Sequence, residues 1–357
     1  MKYLLYPYSN SLCFLVQMIS DYRKDISVTK LCAPHTWKKR FDPATEICYD
    51  FSAGLTSVDG VLIVDAPENT LMRNDIIQKI SLALENKKNV LCCTELPEKD
   101  MAALSALAGK YNTTFSYIFP KNAEIHRRDF FQMQECIMIG VGGLLKDVDS
   151  FPVLTKLYQK YRTLGYRVTA VSADPNGALL GFVPFPSHVL DSRQPYDEIV
   201  FLLNSFFNNL QFLYQPDIVL FQVPNGMLRY STFNREDYGI RTYILSQAIS
   251  VDYYVLTVPG DVYNGDAIEQ ISAVFADRFG FPVRAVGMTD KCVDEIALQE
   301  EQRIEYEWID REEIDAQVAF LRETAVKGMF FFDTLKAEDY DVLVQNSLDA
   351  LAASSEI

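Results

Sequence analysis

Short, almost wholly apolar runs recur along this chain between segments of helical periodicity, and they constrain its fold more than any other feature. Residues 58–67 (VDGVLIVDAP), 89–96 (NVLCCTEL), 136–142 (CIMIGVG), 216–224 (PDIVLFQVP) and 251–259 (VDYYVLTVP) are each one strand long. None alternates apolar with polar, as a strand with one wet face would, so these strands must be covered on both sides. Helical patterns lie between them, at 11–22, 73–87, 98–110, 151–165, 196–213, 236–249 and 267–280. Strand and helix in regular succession require parallel sheets with helices on both faces. The expected fold is therefore α/β, with two doubly wound, mostly parallel three-layer domains.

Two domains follow from length, because 357 residues exceed what one core ordinarily supports. The stretch FPKNAEIHRRDFFQMQE (119–135) is polar, locally basic and without a clean period. The joint belongs there, giving a Rossmann-like domain at 1–120, a linker at 121–134 and a second domain at 135–357. The first strand-to-helix turn, Pro7 to Ser11, has no glycine, so the dinucleotide fingerprint is missing. Asp65, at a strand end, is the polar group that remains there.

Charge narrows the partners. With 33 basic against 48 acidic residues the formal charge is −15, which opposes binding to nucleic-acid backbones or anionic membranes and favours a basic peptide. No apolar run is long enough to span a bilayer. Seven cysteines lie mostly in apolar runs without a C-x-x-C pair and read as buried thiols of a reducing, cytoplasmic compartment. His35, His126 and His188 lack metal-ligand spacing, so no metal site or metal cluster is expected.

The turn GVGGLLKDVDSF (140–151) carries the most chemistry. A working phosphate loop, G-x-x-x-x-G-K-[ST], needs glycines for converging amides, a lysine for the outer phosphate oxygens and a hydroxyl for magnesium. Gly140, Gly142 and Gly143 supply the backbone and Ser150 can open the helix, but Lys146 stands four residues before Ser150 instead of beside it. Asp149-Ser150 reads as a helix cap, and Asp147 and Asp149 would repel a polyphosphate. Either the loop is structural, or it holds a nucleotide or another anion.

Three further strand ends belong to the same edge of a doubly wound sheet, where ligands gather. At 223–226 (VPNG), Gln222 and Asn225 stand where a magnesium-ordering carboxylate would precede Gly226. GMTDK (287–291) places Thr289 and Asp290 where a base-reading loop would lie, with Asp290 before Lys291, the reverse of the GTP-binding order. SADPNG (172–177) contributes Asp174. Each has a plain reading as a turn or polar strand end, and no residue is assigned a catalytic role.

The succession IMIGVGGLLKDVDSF, LGYRVTAVSADPNGALLGF, QPDIVLFQVPNGM and DYGIRTYILSQAISVDYYVLTVPGD resembles the peptide maturation system proteins of clostridial-type gene clusters for ribosomally made, post-translationally modified peptides. More remotely, the layout is similar to a Rossmann-like domain followed by a phosphate-loop NTPase-like domain, here with a degenerate nucleotide site. The resemblance implies an accessory protein whose partners are a precursor peptide and a radical S-adenosylmethionine enzyme of the same cluster. The sequence leaves room for a homodimer. The alternative is an ATP- or GTP-dependent ligase or activating enzyme using the loop at 140–150.

Overall fold

The expected strands form where the apolar runs lie, in a computed structural model that describes residues 1–9, 12–35, 37, 46–66, 69–120, 125–130, 136–224, 226–227, 229, 231, 238–261, 265–302, 304–324 and 328–355. The chain divides into two units. One is Met1–Lys121 with Asp174–Pro184, and the other is Asn122–Ala173 with Phe185–Ile357.

The first unit holds β1 (Lys2–Tyr6), β2 (Ser27–Cys32), β3 (Ile47–Cys48), β4 (Gly60–Ile63), β5 (Asn89–Cys92) and β6 (Phe115–Tyr117) in the order β3-β2-β1-β4-β5-β6. Every neighbouring pair is parallel. The order reverses between β1 and β4, as in doubly wound dinucleotide-binding sheets. Helices α1 (Cys13–Tyr22), α2 (Phe51–Gly54), α3 (Asn69–Glu85) and α4 (Glu98–Tyr111) accompany these strands. Leu4, Val61, Ile63, Ile80 and Leu84 share one core, which Tyr6 joins with its ring edge-on to Phe51. Helix α4 starts after Pro97 and stops where Asn112 turns left-handed at φ 54°.

Asp174–Pro184 is the piece that sequence reasoning places in the second half. It forms a 3₁₀ helix, Pro175–Leu180, opened by the Asp174 carboxylate, which accepts the Asn176 N–H at 2.8 Å. Asn176 is 1% exposed, and its side-chain amide pairs with the Asp65 backbone as a neighbouring strand would. Its Oδ1 accepts the Asp65 N–H at 2.8 Å and its Nδ2 donates to the Asp65 carbonyl at 3.0 Å. The Cys93 thiol donates to the Pro175 carbonyl at 3.0 Å and Arg23 to that of Leu179 at 3.3 Å. Asp174 thus caps a structural helix of the first unit, a task its position in the sequence does not announce.

The second unit's sheet runs β15-β12-β11-β7-β10-β8. Its strands are β7 (Ile137–Gly143), β8 (Val168–Ser172), β10 (Ile218–Gln222), β11 (Tyr253–Val258), β12 (Val283–Met288) and β15 (Phe330–Asp333), while β9 (Val183–Pro184) ends the Asp174–Pro184 segment. The registers of β7, β8, β10, β11, β12 and β15 are parallel throughout, with β7 central between β10 and β11. Helices α5 (Ser150–Thr163), α6 (Ser187–Leu190), α7 (Tyr196–Tyr214), α8 (Ile240–Ala248), α9 (Gly265–Phe279), α10 (Glu295–Glu301), α11 (Arg311–Thr324) and α12 (Ala337–Ser355) complete it. A separate antiparallel pair joins β13 (Lys291–Val293) to β14 (Tyr306–Trp308).

Of the expected linker, residues 125–130 are described. Over its described part it lies along α7, where Arg128 N–H donates to Ser205 Oγ at 3.2 Å, Asn209 donates to the His126 carbonyl at 2.9 Å, and Arg127 pairs with Glu198. Polar residues there meet polar residues of the helix, so the stretch carries no apolar period to read. Among the described residues no helix is long and apolar enough to cross a membrane.

Asn176→Ala is expected to cost about 1–3 kcal/mol, because two backbone groups of Asp65 lose their partners in a largely buried place. Urea unfolding of the full chain measures this. An unchanged midpoint would show that the amide pairing contributes nothing.

Candidate functional site

The second unit's site begins on β7. Gly140 and Gly142 face the same side of this strand, and the Tyr254 ring of β11 lies across them. A Cβ at Gly140 would come 2.8 Å from that ring, and one at Gly142 would come 2.0 Å from its hydroxyl and 3.1 Å from Met227 Sδ. These two glycines make room for a buried aromatic side chain. Gly143 has a different task, since a Cβ there would meet the Leu145 carbonyl at 2.5 Å, so the chain can turn this tightly into the loop only without a side chain.

The loop between Gly143 and α5 is held from several directions. Leu144 N–H donates to the Thr257 carbonyl at 2.7 Å, Met227 N–H donates to the Leu144 carbonyl at 3.0 Å, and the Thr257 hydroxyl donates to the Val148 carbonyl. Asp147 and Asp149 both take left-handed backbone, at φ 61° and φ 40°. Alternation of this kind turns successive amides toward one side and is costly for residues other than glycine.

Counted from Gly143, the phosphate-loop pattern aligns Val148 with the second glycine, Asp149 with the lysine and Ser150 with the hydroxyl. An anion therefore stands where a phosphate loop has its cation. Asp149 occupies the cap position of α5 but makes no side-chain cap, contrary to the expectation from sequence. Its carboxylate turns instead to Lys291, 2.8 Å away, and the Thr334 hydroxyl approaches its other oxygen at 3.4 Å.

Lys291 enters from β13. Its ammonium donates to Asp149 and, also at 2.8 Å, to the Asp147 carbonyl, and it lies 5.7 Å from the centre of the Trp308 ring. The Lys291 and Asp149 side chains are only 11% and 7% exposed. Burial pulls the ammonium down, but the Asp149 carboxylate, the hydrogen bond to it and the nearby Asp147 and Asp290 outweigh that and hold it above its ordinary value. The hairpin that delivers Lys291 is itself fixed: Tyr306 donates to the Lys146 carbonyl, Gly260 N–H to the Lys291 carbonyl at 2.6 Å, and Ile309 N–H to the Asp290 carbonyl at 3.0 Å. Burial, then repulsion from Asp149, pushes the Asp290 carboxyl up to about 6.

At the end of β10, Gln222 holds the place of the metal-ordering carboxylate. Its Nε2 donates to Ser150 Oγ at 3.0 Å, while its Oε1 accepts from Ser172 Oγ at 3.1 Å and Ala173 N–H at 2.9 Å. The hydroxyl that would bind magnesium is tied to a neutral amide, and these donors do not suit a magnesium ion. Among the described residues no group of three or more His, Cys, Asp or Glu side chains could hold a metal ion.

The structure thus gathers Gly143, the Lys146 backbone, Ser150, Thr289 and Asp290 around the loop, with Gly226 on the segment that leads to Met227. Lys146 itself is exposed, Thr289 is fully buried beneath the hairpin, and Asn225 lies outside the described residues. Sequence reasoning missed Tyr254, Thr257, Tyr306 and Thr334, since nothing local marks a residue that reaches a loop more than a hundred positions away.

Fold and site together define an α/β protein of two doubly wound sheets in which the turn after the central strand of the second sheet carries a buried Lys291–Asp149 ion pair. No family model matches the chain, and no curated protein matches it. Among solved structures it is similar to a DUF1611 family protein from Anabaena variabilis, at 12% identity and a TM-score of 0.60, covering 98% of this chain and 99% of that one. A GTPase in apo form from Pyrococcus abyssi matches at 14% identity and a TM-score of 0.33, over 60% of this chain and 97% of that one. A nucleotide-binding protein in complex with ADP from Archaeoglobus fulgidus matches at 13% identity and a TM-score of 0.32, over 59% and 87%. Of these three likenesses only the first defines a fold, and at its identity the fold is all it defines.

Asp149→Ala is expected to destabilise the chain by about 3–5 kcal/mol, because it strands a buried ammonium. Asp149→Leu combined with Lys291→Met should cost much less than either change alone, which a double-mutant cycle in urea would show. A second expectation concerns pH. The Asp290 carboxyl, ordinarily at 3.8, sits at about 6 in the folded chain. The native state then binds more protons than the unfolded one between about pH 4 and about pH 6, so stability falls as pH rises through that window. Asp65, also raised to about 6 by burial, adds a slope of the same sign. Asp290→Asn should flatten the fall in urea midpoint across that range, and an identical slope in the variant would exclude Asp290 as its source.

Proposed function

We propose that this chain is a non-hydrolysing accessory protein in the maturation of a ribosomally made peptide, acting in the cytoplasm on the precursor peptide, the radical S-adenosylmethionine enzyme that modifies it, or both. One observation carries the non-hydrolysing part: the Asp149–Lys291 pair and the Gln222 amide stand where phosphoryl transfer needs a free lysine and a magnesium carboxylate. Without them the developing charge on a transferred phosphoryl group has no partner. The peptide part is supported by the sequence resemblance and by the formal charge of −15, which suits a lysine-bearing leader peptide.

The rival reading, a nucleotide-dependent ligase or activating enzyme, draws on one feature. The first turn of α5 presents amides that no Asp149 side chain caps, and such a turn attracts anions. Two measurements separate the readings. Titration of the cluster's precursor peptide into the full chain should give binding that weakens several-fold as salt rises from low to physiological strength. Release of inorganic phosphate from ATP or GTP with magnesium should stay at the buffer rate. Steady release that disappears in Ser150→Ala would overturn the accessory role, and absent or salt-independent peptide binding would overturn the proposed partner.

A further inference from the structure

The cysteines depart from the sequence expectation of uniformly buried thiols: Cys32, Cys92 and Cys93 are buried, Cys48, Cys136 and Cys292 half-buried, and Cys13 exposed. Two of them meet. Cys32 on β2 and Cys48 on β3 are direct register partners in neighbouring parallel strands. Strands so paired run about 4.8 Å apart, inside the Cα separation of roughly 4.4–6.8 Å over which a disulfide closes. Both side chains turn to the same face, where Cys32 belongs to the core of Leu4 and Phe51 and Cys48 packs against it. Among the described residues no other two cysteines stand opposite each other on adjacent strands.

We propose that Cys32 and Cys48 form a reversible thiol–disulfide site whose oxidant is a low-molecular-weight disulfide. The two sulfurs have different parts. Cys48 lies at the sheet edge, half-buried, with its thiol donating to the Asp50 carbonyl at 2.8 Å, so it is the sulfur a reagent reaches. Cys32 is 1% exposed, and burial first, then the neighbouring Cys48, pushes its thiol up to about 12. It is inert toward reagents in solution but adjacent to whatever forms on Cys48.

In the first step the Cys48 sulfur, having given up its proton, attacks the reagent disulfide. A protein–reagent S–S bond forms and one reagent thiol leaves. In the second, Cys32 loses its proton and its sulfur attacks Cys48 Sγ, displacing the second reagent thiol as the Cys32–Cys48 bond forms. The protein surrenders two electrons and two protons, and the reagent disulfide becomes two thiols. The product ties the two-residue edge strand β3 covalently to the body of the sheet.

The test uses the full chain, oxidised glutathione, alkylation of remaining thiols and peptide mapping by mass spectrometry, with exposed Cys13 as the internal sign that the reagent is active. The expected product is a linked Cys32–Cys48 peptide, two hydrogens lighter than its reduced parts and released by dithiothreitol. Cys32→Ala should trap glutathione on Cys48, and Cys48→Ala should leave Cys32 to the alkylating agent after unfolding. Either a stable glutathione adduct on Cys48 in the parent chain, or reaction at Cys13 with none at Cys48, would overturn the proposal without needing any variant to fold.

Discussion

A buried ion pair between Lys291 and Asp149 organises the carboxyl edge of the second unit. Two opposite charges taken out of water are tolerable only when each has partners in good geometry, and here the ammonium has the Asp149 carboxylate, the Asp147 carbonyl and the face of Trp308. That requirement explains the hairpin at 291–308, which a minimal doubly wound domain does not need: it carries the lysine inward and shields it. Two non-glycine residues of the loop, Asp147 and Asp149, take left-handed backbone, and the carbonyl of one and the carboxylate of the other both face the ammonium.

The same pair sets the charge balance of the turn after β7. Gly143 makes the tight exit from the central strand and Ser150 starts the helix. Asp149 lies just before that serine, and Lys291 from another strand supplies the neutralising charge. At β10 a carboxamide joins Ser150 to Ser172 through neutral hydrogen bonds, donating to the Ser150 hydroxyl and accepting from that of Ser172. The charges of this loop are satisfied from within the chain.

Much of this architecture was legible because its signals are long and local. The fully buried strands at 137–143, 218–222 and 253–258 announce themselves as unbroken apolar runs, and each is followed by a helix with its own period. Elements too short to show a period went unseen: β3, α2, the 3₁₀ helix at 175–180 and β13. The glycines were visible but their reason was not. Gly140 and Gly142 read as flexible backbone until Tyr254 is seen lying across them, and that contact spans more than a hundred residues. The candidate site was half legible, since the loss of the lysine–serine pair can be read directly, whereas the partner of Asp149 lies 142 residues along the chain.

The Asn176 side chain, paired with the backbone of Asp65, implies that the first unit is not a contiguous stretch of chain. A protein cut after residue 121 would carry, among the described residues, six strands and four α-helices yet lack the eleven-residue return that closes the end of β4, as counted from 174 to 184. Separately expressed halves would each be incomplete, one missing a piece and the other bearing an orphan insert. Any division of this chain for biochemical work has to follow its threading instead of its midpoint.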